Sequence, residues 1–314
     1  MPSYKYNFVK NLKIPLIIYA VIIVAAIVMG LIFGVNLDIN FKGGSRFTYT
    51  YTGEISTSDA ESVIEKALGK DVVVTQSTSL TGESTKLVVS LVADESLSTE
   101  AQQKITKALT DTYKDSKVAL GDSTTVSPTV AGSFFAKSLF AVLVAAVLVV
   151  IYVGIRFRLI GGVSAAMTAL AALVLDVCIA FAICIFFRLQ IDTNFMAVIL
   201  TILGYSLNDT IVIYDRVREN RKLYANEELS DVVNLSIGQV MRRNIFTTVT
   251  TFMAIMTIVV VSEIFGLTTL RTFAIPMAFG IVSGCASSVC VSGPLWVLWC
   301  NYKQAHFGKK GKKK

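Results

Sequence analysis

The stretch GYSLNDTIVIYDRVREN, residues 204–220, sets Asn208 and Asp209 inside an apolar run that begins near Thr193. No cation lies within five residues of Asp209 on either side. A carboxylate in such a run is buried either in protein or in lipid, and the length of the run decides which. At 1.5 Å rise per residue, roughly 20 apolar residues cross a membrane. Residues 193–214 meet that length with Asp209 as their single charge. Composition agrees: 54% of the 314 residues are apolar, only 16% are charged, and mean hydropathy is +0.63. Such values lie outside the usual range of a soluble domain.

Working outward, five further runs qualify as spans: residues 14–35; 134–155, free of charge from Ser138; 159–187, with Asp176 alone; 244–262; and 272–302. The last contains Pro276 and Pro294, which membrane helices tolerate. The first is too long for the apolar core of a cleaved leader and is read as a retained anchor. Basic residues then orient the chain. The terminus 1–13 carries Lys5, Lys10 and Lys13, and the second link carries Arg156 and Arg158. Segment 215–243, read as a connecting loop, carries Arg216, Arg218, Arg221, Lys222, Arg242 and Arg243. The tail 303–314 adds Lys303, Lys309, Lys310, Lys312, Lys313 and Lys314, whereas the two short loops opposite carry only Arg188 and Arg271. Both termini are therefore expected on the cytoplasmic side. The net charge of +7 follows from this edging of spans. It forms no separate basic domain, so nucleic acid is not an expected partner; membrane lipid is.

Residues 36–130 then fall outside the cytoplasm. SRFTYTY (45–51) alternates as a strand does. Ser58 and Glu61 have capping-box spacing ahead of an apolar helical stripe. Residues 71–80 and 84–93 read as two strands joined by a turn at Thr81 to Ser84, 96–113 as a second amphipathic helix, and 123–130 as a last strand. The order β-α-β-β-α-β predicts a small α+β ferredoxin-like unit. The expected fold class is a polytopic α-helical membrane protein, a six-helix bundle with this unit between helices 1 and 2.

Catalytic chemistry finds no foothold. His306, in the polar tail, is the single histidine, which removes His-based triads and His-based metal sites. Cys178, Cys184, Cys285, Cys290 and Cys300 all lie in spans or at a span end, as packing residues rather than metal ligands or a disulfide framework. No enzyme activity, metal or cofactor is expected, protons being the coupling ion.

The polar groups inside the spans carry the functional signal. Asp209 lies about 9 Å deeper than Asp215 at helical rise, and an ionisable residue there marks ion pathways or proton relays, or fixes helix packing. Asp176 lies about 7 to 8 Å from the depth of Asp209, within reach of one bridging water if the two faces meet. Arg243 either anchors the helix at the interface beside Arg242 or extends inward toward Asp209. Thr247, Thr248, Thr250 and Thr251 either line a wet path or bond back to their own helix. Gly280 and Gly284 form a packing motif with Ser283, Ser287 and Ser288 nearby, and Trp296, Trp299 and Tyr302 read as an interfacial belt. The expected proton-relay set is Asp209 and Arg243, with Asp176, Asn208 and Thr247 in lesser roles.

These residues resemble a known family. GYSLNDTIVIYDRVREN looks like the signature of the SecF family, the smaller partner in the SecD–SecF protein-export complex. LDINFKGGSRF (37–47), VSPTVAG (126–132), GIRFR (154–158), LVLDVCIAF (173–181) and MRRNIFTTVTT (241–251) resemble further family segments in the same order. The resemblance implies one six-span half of a resistance-nodulation-division (RND) bundle in the bacterial inner membrane. It implies pairing with a SecD-like subunit beside a SecYEG-type channel, and use of the proton gradient to draw an unfolded polypeptide outward. The family's ion-pathway Asp and Arg fall on Asp209 and Arg243. Departures are Leu175 for a histidine, Ile245-Phe246 for Thr-Ser, and Ser127 for a glycine. Two rival expectations remain: a proton-coupled exporter of lipid or small molecules, which about 90 outer residues argue against, and a non-transporting scaffold of the channel.

Overall fold

The computed structural model describes residues 6–53, 55–69, 72–78, 85–91, 99–265 and 267–307. Among these, six helical segments are long and apolar enough to cross a membrane. They comprise α1 (Lys13–Phe33), α5 (Pro128–Arg156), α6 (Gly162–Phe186), α7 (Thr193–Leu223), α8 (Leu229–Ile264) and the tandem α9 (Thr268–Ser287) and α10 (Gly293–Phe307). Leu173, Ile179 and Ile183 of α6 and Val198 and Ile202 of α7 pack with Ile275 and Val291 into the main core. The most apolar windows of α6 and α9–α10 are 56% and 67% buried, against 11% and 6% for α1 and α5. The bundle is therefore built around α6, α7 and α9–α10, and α1, α5 and α8 turn most of their apolar surface outward.

Between α9 and α10 the chain takes one π turn, Ser288–Ser292. Such widened turns occur mostly as single turns inside α-helices. Here the turn is buried: Ser288 and Ser292 within it, and Ser287 just before it, have no exposed surface.

The inserted unit contains α2 (Ile39–Lys42), β1 (Gly44–Tyr51), α3 (Thr57–Leu68), β2 (Val73–Thr78), β3 (Thr85–Leu91), α4 (Thr99–Thr112) and β4 (Ala119–Val126). The sheet order is β2-β3-β1-β4 with every neighbouring pair antiparallel. Alternation on β1 sends Phe47, Tyr49 and Tyr51 to one face, where they bury against Ala60 and Ile64 of α3 and Ile105 and Leu109 of α4. The opposite face carries Arg46, Thr48, Thr75, Lys86, Asp122 and Thr124, with Val88 among them.

A short clamp fixes this unit to the bundle. Leu37 bridges Ile191 in the α6–α7 link, through Asp38 N to Ile191 O at 3.0 Å and Ile191 N to Asn36 O at 2.8 Å. Buried Asp38 caps α2 and forms an ion pair with Arg46 of β1. Gly43 has φ +82°, and a Cβ there would sit 2.9 Å from Pro128 Cα, so the turn into β1 requires glycine.

Several expected boundaries move. Segment 215–243, read as a loop, is helix except for the turn at 224–228. The switch from apolar to charged residues marks an environment, not a helix end, and Arg216–Glu219 and Arg218–Asp215 pairs extend α7 beyond the apolar run. α5 begins at Pro128, ahead of the expected 134, because Ser127 caps it and proline suits a first helical position. The last strand accordingly runs 119–126 rather than 123–130. The N-cap of α3 is Ser56, so Ser58 and Glu61 form no capping box; the Ser56 and Ser58 hydroxyls bond each other at 2.9 Å. The turn expected at Thr81 to Ser84 lies outside the described residues.

Candidate functional site

The bundle core is laced by hydroxyl groups. On α7, Ser206, Thr210 and Tyr214 recur every four residues and so share one face. On the facing tandem helix, Ser283, Ser287, Ser288 and Ser292 answer them. Ser288 and Thr210 hydroxyls lie 2.8 Å apart, and Tyr214 bonds Ser292 at 2.8 Å and Thr168 of α6 at 2.9 Å. Further along, Trp296 Nε1 donates to Ser164 at 3.0 Å. Trp296 is thus a buried core residue at 2% exposure, not part of an interfacial belt; Trp299 and Tyr302 alone are exposed.

Asp176 sits at the far end of this polar seam with no exposed surface. Its carboxylate accepts from Ser206 Oγ at 2.6 Å, Ser283 Oγ at 2.7 Å and Ser287 Oγ at 2.8 Å. Tyr19 of α1 donates to Ser283 O at 3.0 Å and so ties the outer helix to the same cluster. Three hydroxyl donors from two helices are what a buried anion needs when no cation is near.

The two glycines make this approach possible. A Cβ at Gly280 would strike Ile202 of α7, and one at Gly284 would lie 2.8 Å from Ser206 Cβ. Gly284→Ala is therefore expected to displace Ser206 from Asp176 and lower stability by about 1–3 kcal/mol, as overpacking does. Thermal unfolding in detergent measures it, and an unchanged midpoint overturns this reading.

Asp209 is placed differently. It is 2% exposed, and its Oδ2 has no hydrogen-bond partner among the described residues. The neighbouring helix α8 buries Asn244 and Thr248, and the Asn244 Nδ2 likewise lacks a partner among the described residues. Cys285 of α9 lies beside the Thr248 hydroxyl and within electrostatic reach of Asp209, which places Asp209 and Thr248 at the α7–α8–α9 junction. Arg243 acts on Asp209 electrostatically. Among the described residues, however, no ion pair joins them. The Arg243 side chain is exposed and opens on a cavity of about 440 Å³ at the basic end, lined also by Asp215, Glu219 and Lys222. A long basic side chain can reach along its helix toward water while its neighbours stay buried.

The other expected residues separate from this junction. Asp176 and Asp209 share no partner among the described residues, because Asp176 is saturated on its own side. Thr247 is exposed and bonds back to the Arg243 and Asn244 carbonyls at 3.1 and 2.9 Å, so Thr248 takes the inward place assigned to it. Asn208 is exposed, on the outer strip of α7 with Thr201 and Gly204. Sequence reasoning overlooked Ser206, Thr210, Tyr214 and Tyr19; the four-residue spacing on α7 was the available signal.

The fold and these buried groups define a multi-pass membrane protein with an α+β unit between its first two spans. Residues 104–302 match the family described as protein export membrane protein SecD/SecF, C-terminal. Protein translocase subunit SecF of Alicyclobacillus acidocaldarius is 33% identical over 94% of this chain and 93% of that protein. Protein translocase subunit SecDF of Bacillus subtilis is 34% identical over 95% of this chain, which spans 38% of that longer protein. A crystal structure of SecDF, a translocon-associated membrane protein from Thermus thermophilus, superposes with a TM-score of 0.76 at 27% identity, covering 96% of this chain and 40% of that one. The chain belongs to the SecD/SecF family of protein-export membrane proteins.

Proposed function

We propose that this chain is a protein translocase subunit that couples proton passage through its bundle to export of an unfolded polypeptide. Its relatives are named for protein translocation, and the longer SecDF relatives contain a further stretch beyond the part this chain matches. In this reading a SecD-like half fills that role and seats on the exposed strip of α7, covering Thr201, Gly204 and Asn208. An exposed Asn within a span favours protein over lipid as its neighbour. The four-stranded unit is a ferredoxin-like domain outside the cytoplasm, the basic end faces the cytoplasm of a bacterial inner membrane, and a SecYEG-type channel is the neighbour.

The single observation that carries this reading is the contrast between two buried carboxylates. Asp176 has three hydroxyl donors, whereas Asp209 Oδ2 has none among the described residues. A buried acid without partners is costly as an anion and takes up a proton readily. Arg243 stands close enough to favour the anion again when its side chain swings inward. Loading and unloading of Asp209 thereby changes how α7 and α8 pack, and the movement passes through the Leu37–Ile191 clamp to the sheet.

The charge-swapped chain Asp209→Arg/Arg243→Asp tests it. It is expected to assemble with its partner and to lose stimulation of export by a proton gradient in membrane vesicles. Full stimulation in the swapped chain overturns the relay and leaves the scaffold reading.

A further inference from the structure

A cavity lies away from the Asp209 junction, at the basic end, where the α5–α6 link meets α10. Its volume is about 720 Å³, and its walls carry Arg158, Lys303, Trp299, Tyr302 and Ser164. Its floor is bare backbone. Gly162 packs so closely on the Gly154 carbonyl that no Cβ fits, and Gly161 holds φ +100°. Three glycines thus remove the side chains that would otherwise fill the space. Ser164 is already engaged, donating to Gly161 O at 2.6 Å and accepting from Trp296.

Charge distinguishes this cavity from the other one at the basic end. The cavity beside Arg243 includes Asp215 and Glu219 among its walls, so it neutralises itself. The cavity at Arg158 has no acidic residue in its walls among the described residues. Neither Arg158 nor Lys303 forms an ion pair among the described residues, although their neighbour Arg156 is paired with Asp215 at 3.1 Å. Two uncompensated cations therefore flank one hollow. Its rim is apolar and open: Ile155 and Val163 are 67% and 75% exposed, and Leu159, next to Arg158 in the chain, is exposed as well. Trp299 and Tyr302 stand at the boundary, where amphipathic rings sit level with lipid headgroups.

We propose that this cavity binds an anionic phospholipid, its phosphate held between Arg158 and Lys303 and its acyl chains descending along Ile155 and Val163. A soluble anion would use the cations and leave the apolar rim without a role. A zwitterionic lipid would bring its own cation against them. The basic tail that follows α10, with Lys309, Lys310, Lys312, Lys313 and Lys314, continues the same charge along the sequence.

Purified full-length chain in neutral detergent, titrated with phosphatidylglycerol or phosphatidylcholine and read by native mass spectrometry, tests the proposal. One retained phosphatidylglycerol per chain is expected, with phosphatidylcholine bound far more weakly. Arg158→Ala/Lys303→Ala is expected to weaken phosphatidylglycerol roughly thirtyfold, given the attraction of each basic residue near an anionic surface. Arg158→Lys/Lys303→Arg is expected to restore it, and this pair decides the matter if the alanine variant fails to fold. Neutralising the five tail lysines to Gln is expected to leave the retained lipid in place. Equal affinity in the alanine variant, equal retention of phosphatidylcholine, loss of the lipid on tail neutralisation alone, or displacement by millimolar inorganic phosphate each overturns it.

Discussion

Asp209→Asn is expected to abolish the stimulation of export by a proton gradient while leaving the folded protein as stable as before, or more so. Asn has nearly the same shape as Asp, so packing at the α7–α8–α9 junction is preserved. Among the described residues, the lost charge had no hydrogen bond at Oδ2 to lose. An ionised carboxylate within a span carries a penalty of at least about 2.5 kcal/mol on insertion scales, and part of that is relieved. The two measurements are gradient-dependent export in vesicles and thermal unfolding of the purified chain. Retained stimulation sinks the relay. Lost stimulation together with a sharply lowered unfolding midpoint assigns Asp209 to packing instead.

Asp176→Leu is expected to behave in the opposite way, with a large loss of folded protein. Leu keeps the branched skeleton but is bulkier and accepts nothing, so the Ser206, Ser283 and Ser287 hydroxyls lose their shared acceptor inside a closely packed core. Hydrogen bonds between membrane helices are worth about 0.6 kcal/mol on average and up to about 1.7 each. Three together give about 2–5 kcal/mol, a sizeable share of a stability that is itself only about 5–15. Fluorescence-detected size exclusion and thermal unfolding measure the loss. An Asp176→Leu chain that folds normally yet ignores the gradient would move Asp176 from the structural cluster into the proton path.

The opposed expectations for two carboxylates of the same bundle follow from their surroundings alone. Both are single charges in apolar runs, and by composition they are equivalent. What separates them is rotation about the helix axis. Ser206 and Asp209 are three residues apart on α7, yet Ser206 points at α6 and α9 and Asp209 toward α8. Successive side chains turn by about 100°, so a partner is chosen by which face meets which neighbour. No local pattern encodes that.

Hydropathy is a sum over neighbours in the chain, and it was sufficient for the six spans, the inserted unit and the basic end. Alternation and helical periodicity are also local, and they sufficed for the order of strands and helices between the first two spans. Asp209 stood out for the same reason, as one charge against an apolar background. Tertiary structure alone decided the rest. It set β1 between β3 and β4, gave Asp176 its three serines, buried Trp296, turned Arg243 toward the basic end, and put Thr248 rather than Thr247 at the junction. It also hollowed the cavity beside Arg158, where glycines of α5, α6 and their link meet. Each of these depends on which surfaces are pressed together, and close packing of helices sets that through shape complementarity between residues far apart in the chain.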